Sequence, residues 1–122
     1  MRIFHMLAAA AAVAGLTGTA VAHPKLVSSS PAANAVVASP AHIDLRFSEQ
    51  LMPNFAKGDL IMSAMPGMGA MKMTSKASVG ADGKTLVIIP KARLPKGKYV
   101  INWRVVSKDT HKLAGRYAFA VR

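Results

Sequence analysis

A histidine at position 23 follows Ala20-Val21-Ala22, a small-x-small sequence of the kind that signal peptidase cuts, and a cut after Ala22 makes that histidine N-terminal. An N-terminal histidine carries an α-amine and an imidazole on one residue, and this two-nitrogen bite suits the tetragonal preference of copper(II). Pro24 comes next. Proline has no amide hydrogen, so its nitrogen cannot be deprotonated onto a metal. His23 therefore offers its amine and ring, and the remaining coordination positions must come from elsewhere in the chain.

Ser107-Lys108-Asp109-Thr110-His111 is a source for them. Residues two apart in an extended segment project to one side, so Asp109 and His111 would present a carboxylate and an imidazole to one point. Asp-x-His alone fits a solvated turn better, with the aspartate capping a backbone group. Joined to His23 it makes an N3O donor set suited to copper(II), and zinc could use the same donors tetrahedrally.

A second donor type is concentrated in Met62, Met65, Met68, Met71 and Met73, of which the first four recur at every third residue. That spacing usually marks the buried stripe of a helix, but Pro66, Gly67 and Gly69 interrupt it. The remaining readings are a loop of soft thioethers that selects copper(I), or a loop that uses methionine as filler over an apolar core. Met62 sits in a strand-like segment and is the member best suited to packing. Met52 stands apart and reads as packing. His42 alternates with the apolar face of its strand and reads as a surface histidine; Glu49 reads as a surface acid or an outer support for the His23 cluster. His5 would leave with the leader. No phosphate-binding glycine loop and no Ser-His-Asp motif is present.

The segments that must position these groups follow from composition. Arg2, the apolar run Met6 to Leu16 and the cut after Ala22 define residues 1–22 as a signal peptide, since the run is shorter than the roughly 20 apolar residues of a membrane span. Residues 23–122 then form one exported domain of 100 residues, with no second apolar span and a single modest core. The chain has no cysteine, which excludes disulfides, cysteine lipidation and a blue-copper thiolate. The full chain carries a net charge of +11. Export and the lack of interleaved aromatics argue against nucleic acid and for a solvated cationic surface that can attract anionic membrane or an acidic partner.

Strand signals dominate this domain, and no helix of useful length is expected. Ala41 to Phe47 and Lys98 to Val106 alternate apolar with polar residues, and Gly115 to Arg122 aligns Tyr117, Phe119 and Val121. Thr85 to Ile89 is a continuous apolar run; Leu26-Val27 and Leu60 to Met62 are weaker strands. Ser28 to Asn34, Ser39-Pro40, Ala81-Asp82-Gly83 and Leu94-Pro95-Lys96-Gly97 read as turns, and Ala32 to Ala38 as loop. Short strands with regular turns over this length predict an all-β sandwich or barrel.

In combination, His23-Pro24-Lys25-Leu26, Phe47-Ser48-Glu49, Met62-Ser63-Ala64-Met65-Pro66-Gly67-Met68, Trp103-Arg104-Val105-Val106-Ser107 and Asp109-Thr110-His111 resemble the CopC/PcoC family of bacterial periplasmic copper-resistance proteins in residues and in order. The resemblance spans most of the mature chain. It implies a small Greek-key, immunoglobulin-like β-barrel or sandwich with copper sites at opposite ends. Copper(II) would be held by His23, Asp109 and His111, and copper(I) by the methionine loop. Members that confer copper resistance typically carry a histidine in that loop. The segment Met68 to Met73 has none, which makes this copper(I) set all-thioether, with Lys72 beside it.

These readings lead to a non-catalytic copper carrier in the periplasm, soluble once the leader is removed, that delivers copper to an inner-membrane transporter or a periplasmic copper oxidase. The rival from another class is a histidine-brace copper monooxygenase. Against it, Asp109 would fill a position that oxygen needs, and no platform of exposed aromatics offers itself to a substrate. A third reading is a cationic surface-binding protein with incidental metal ligands.

Overall fold

The computed structural model describes residues 24–122; the leader, its cut and His23 lie outside the described residues. Two β-sheets face each other and do not close into a barrel, so of the two architectures expected the sandwich is the one formed. The smaller sheet has the order β1-β3-β7-β6, with β1 Leu26–Ser30, β3 Ile43–Phe47, β6 Ser75–Val79 and β7 Thr85–Pro90. The larger has the order β2-β9-β8-β4-β5, with β2 Val36–Val37, β4 Lys57–Met62, β5 Met71–Met73, β8 Gly97–Val106 and β9 Lys112–Val121. A single 3₁₀ turn at Pro53–Phe55 carries the chain from β3 to β4, and no α-helix occurs among the described residues.

Period-two alternation produces the core. Ile43, Leu45 and Phe47 of β3 face Tyr99, Ile101, Trp103 and Val105 of β8 across the sandwich, and all are buried. Trp103 meets Phe47 edge-on at a centroid distance of 5.0 Å, and Tyr99 stacks on Phe119 at 5.6 Å. Both distances lie in the favourable range for aromatic pairs. Gly115 is paired with Trp103 in the β8–β9 register, and a Cβ there would stand 2.4 Å from the indole Cζ2. The absent side chain is what leaves room for the indole against β9.

Each expected strand forms, with small changes in its ends. Three features differ from the sequence reading. Ser28 to Ser30 continue β1 instead of turning, because β1 is an edge strand whose backbone pairs with β3 while its serines stay half-exposed or exposed. Val36-Val37 forms a short parallel pair with β9. Residues 71–79 form β5 and β6, one on the edge of each sheet.

The turn before β7 shows local chemistry at work. The Asp82 carboxylate accepts hydrogen bonds from the Lys84 and Thr85 amides and from the Thr85 hydroxyl, while Gly83 takes φ 72°. The Lys84 amide first, and then the Thr85 hydroxyl, hold the Asp82 carboxyl below the usual carboxylate range. A lowered folded-state pKa stabilises the fold above the unfolded value of about 3.9, and that stabilisation is lost as pH falls through the folded value. Asp82→Ala should therefore lower the urea midpoint at neutral pH, and its difference from the parent protein should shrink as the pH falls below the usual carboxylate range. A pH-independent difference in midpoint would assign the loss to packing alone.

Candidate metal centres

The β8–β9 connection carries Asp109 and His111. The Ser107 amide donates to the His111 carbonyl at 2.9 Å and the Thr110 amide to the Ser107 carbonyl at 2.8 Å, closing a tight hairpin. Thr110 takes φ 75°, the left-handed residue that short hairpin loops require. His111 Nδ1 and Asp109 Oδ2 lie 2.8 Å apart. The other carboxylate oxygen, Oδ1, accepts the Ser107 hydroxyl. Ser107 is the one buried polar side chain recorded among the described residues. Its hydroxyl first, and then the His111 ring, hold Asp109 below the usual carboxylate range. The carboxylate is thus kept ionised and fixed in place, and its second oxygen orients the His111 imidazole. Side-chain exposures of 35% for His111 and 46% for Asp109 leave the pair accessible from solvent.

A β-branched residue in the left-handed region is strained. Thr110→Asn keeps a polar side chain and tolerates that region, so it should stabilise the protein by about 1 kcal/mol. Chemical denaturation measures this; an unchanged or lower midpoint would show that the Thr110 hydroxyl bond to the Asp109 carbonyl at 2.5 Å outweighs the strain.

The start of the described chain reaches the same end of the sandwich. Pro24 is buried. The Lys25 amide donates to the Ser48 hydroxyl at 3.1 Å, and the Ser48 amide donates to the Lys25 carbonyl at 2.9 Å. Two residues further on, the Gln50 carbonyl accepts the Lys108 amide at 2.9 Å, and Leu51 bridges to Ser107. Segment 48–50 spans at most about 7 Å of chain, and it touches both Lys25 and the hairpin. Among the described residues no three His, Cys, Asp or Glu side chains converge. Within the described residues, then, this end holds a prepared pair, with a carboxylate and an imidazole.

The methionines lie at the other end. β8 runs about 30 Å, at roughly 3.3 Å per residue, from Gly97 beside Met62 and Tyr99 to the hairpin at Ser107. Met65 and Met68 exchange both backbone hydrogen bonds, at 2.9 and 2.8 Å, around Pro66-Gly67. Gly67 has φ 80°, and proline followed by a positive-φ glycine makes a type II turn. Residues paired this way point their side chains to the same side, so the two thioethers are neighbours. Met65, Met68 and Met71 are exposed at 38, 48 and 49%. Met62 is buried in the core, directly opposite Met71 in the β4–β5 register, and Met73 packs against the core opposite Leu60. Lys72 alternates to the other face of β5, where its ammonium meets Asp59 at 3.2 Å. Its charge is therefore turned away from the face that carries Met71 and Met73.

His42 stands outside both clusters, on the smaller sheet, with Nδ1 3.0 Å from Asp44 Oδ1. Glu49 lies between Ser48 and Gln50, the two residues that touch Lys25 and Lys108. Sequence reasoning missed Ser107 as the hydroxyl that fixes Asp109, and Ser48 as the anchor of Lys25. A lone serine carries no pattern that announces burial.

These features define a class: an all-β sandwich of two sheets with candidate donor groups at both ends. Residues 26–122 match the CopC domain model, and the chain belongs to the CopC/PcoC family. It is 47% identical over 108 residues to copper resistance protein C of Xanthomonas campestris pv. juglandis, an alignment covering 87% of this chain and 85% of the relative. It is 48% identical over 109 residues to copper resistance protein C of Pseudomonas syringae pv. tomato, covering 88% and 86%. The crystal structure of PcoC, a methionine-rich copper resistance protein from Escherichia coli, matches with a TM-score of 0.76 at 46% identity, covering 83% of this chain and 100% of that one.

Proposed function

We propose that this protein is a non-catalytic copper carrier of the periplasm that contributes to copper resistance. Copper is its cargo. Copper(II) is held by the amine and imidazole of His23 after cleavage at Ala22, with His111 and Asp109. Copper(I) is held by the exposed thioethers Met65, Met68 and Met71, with Met62 and Met73 beneath them. Delivery is to an inner-membrane transporter or a periplasmic copper oxidase. The observation that carries this reading is the meeting of Lys25, segment 48–50 and the Asp109–His111 hairpin at one end of the sandwich. The donors fit the cargo: nitrogen and carboxylate for the harder ion, thioether for the softer. The relatives named copper resistance protein C support the same reading.

Mass spectrometry of the exported protein under native conditions tests it. The expected species begins at His23 and takes up copper(II) and copper(I) at separate sites. An exported form that begins elsewhere, or one that begins at His23 and takes up neither ion, would overturn the reading. Turnover of ascorbate and oxygen with an oxidised product would replace it with the histidine-brace enzyme.

A further inference from the structure

The outer face of the larger sheet is basic beyond anything the copper reading uses. Lys57 and Arg104 stand directly opposite each other in the β4–β8 register. Arg104 is opposite Ala114, and Arg116 and Lys112 flank Ala114 on the same side of β9. Lys98 shares that face, two pairs beyond Asn102. Like charges directly opposite each other destabilise a sheet, so the Lys57–Arg104 pair costs stability that an external anion would relieve. The register places one acid on this face among the described residues, Asp59, and Lys72 already engages it. The remaining acids lie on the other sheet at Asp44, in turns at Asp82 and Asp109, and in the connection at Glu49.

Apolar groups stand among these cations. A shallow groove of about 450 Å³ runs between Phe55, Val106 and Ala114, with Lys57, Arg104 and Lys112 at its rim. Phe55 is 53% exposed, on the 3₁₀ turn at the edge of the groove. A merely solvated basic face gains nothing from an exposed phenylalanine. A face that lies on a bilayer does, because cations meet anionic headgroups while an aromatic enters the interfacial layer. The sheet surface is low, with Ala114 and Ala118 between the long side chains, and suits a broad planar partner better than an inserted peptide.

We infer that the outer face of the larger sheet, centred on Lys57, Arg104, Arg116 and Phe55, docks the protein on an anionic lipid surface. None of the copper donors lies on this face, so the inference and the copper reading fail separately. Docking would bring the sandwich flat onto the bilayer, with both ends near its plane.

The test is co-sedimentation of metal-free mature protein with vesicles of phosphatidylglycerol and phosphatidylcholine in equal parts, against vesicles of phosphatidylcholine alone. Binding to the anionic vesicles is expected, and it should weaken with salt. The triple variant Lys57→Gln, Arg104→Gln, Arg116→Gln should lose affinity by roughly 100-fold, given about a fivefold effect for each basic residue at such a surface. The control triple Arg46→Gln, Lys76→Gln, Lys91→Gln removes the same charge from the other side and should lose far less. Phe55→Ser should weaken binding several-fold with no change in charge. Equal losses in the two triples would mean diffuse attraction by net charge and would overturn the docking face. So would failure to bind anionic vesicles by protein whose Lys57-Arg104-Arg116 face binds an acidic polypeptide, since the partner would then be a protein. Urea midpoints of each variant confirm that the fold is intact before the affinities are compared.

Discussion

Protein that carries one additional residue ahead of His23 should bind copper(II) at least about 100-fold more weakly than protein that begins at His23. The extended form keeps every side chain, including both imidazoles and the Asp109 carboxylate. What it loses is the amine on the histidine itself, and with it the chelate that closes through one residue. Metal sites with four ligands gain on the order of 10 kcal/mol or more in total, so one strong nitrogen donor is worth several kcal/mol. His111→Ala should produce a loss of similar size from the other side of the site. Because the amine and imidazoles must shed protons to bind, affinity should fall on acidification. Competition titration against a chelator of known strength measures all three effects. Equal affinity in the extended and mature forms would remove His23 from the site.

Replacing Met65 and Met68 together with leucine should abolish measurable copper(I) binding and leave copper(II) binding unchanged. The exchange keeps the volume and apolar character of both side chains. The two residues are exposed at the tip of a hairpin closed by backbone hydrogen bonds, so the fold should not change. Only the sulfurs are lost. The same cluster should hold copper(I) with little change between mildly acidic and neutral pH, because thioethers do not protonate there and no histidine lies in the loop. Oxidation to methionine sulfoxide should remove the soft donors and abolish copper(I) binding first. A steep loss of copper(I) affinity on mild acidification would bring a protonating donor into the site. Loss of copper(II) in the leucine variant would mean one shared site.

The sequence displayed some of this architecture clearly and hid the rest, for physical reasons. β3, β7, β8 and β9 are half-buried or fully buried strands, and burial forces the alternation or the continuous apolar run that makes them visible. β6 alternates too, but with Ala77 and Val79 against Lys76 and Ser78, a contrast too small to stand out from loop. The serines of β1 hide a strand for a related reason: at a sheet edge the backbone does the pairing and the side chains are free to be polar. In the candidate sites, Asp109 and His111 were legible because their types and spacing carry chemistry. Their support was not: the hydroxyl of Ser107 acquires its role only when the hairpin folds it inward. The division among the methionines is tertiary for all but Met62. Met62 could be read as packing from its strand-like segment, but which of the later methionines face water is decided by where β4 ends and how the hairpin beyond it turns.

The distance between the two ends has a consequence for traffic. Between the Asp109–His111 hairpin and the methionine hairpin lies the length of β8, and its inward face is Tyr99, Ile101, Trp103 and Val105 packed against β3. A dense apolar interior of this kind offers a metal ion no stepping stones. An ion that changes oxidation state on this protein therefore cannot migrate within it from one donor set to the other. It must leave and be recaptured, by another molecule or by the same one after a passage through solvent. Redistribution between the two ends should then pass through copper that has left the protein, and a competing scavenger in solution should suppress it. On the proposed two-site reading the sandwich core would act as an insulator, and one chain would behave as two independent carriers joined back to back.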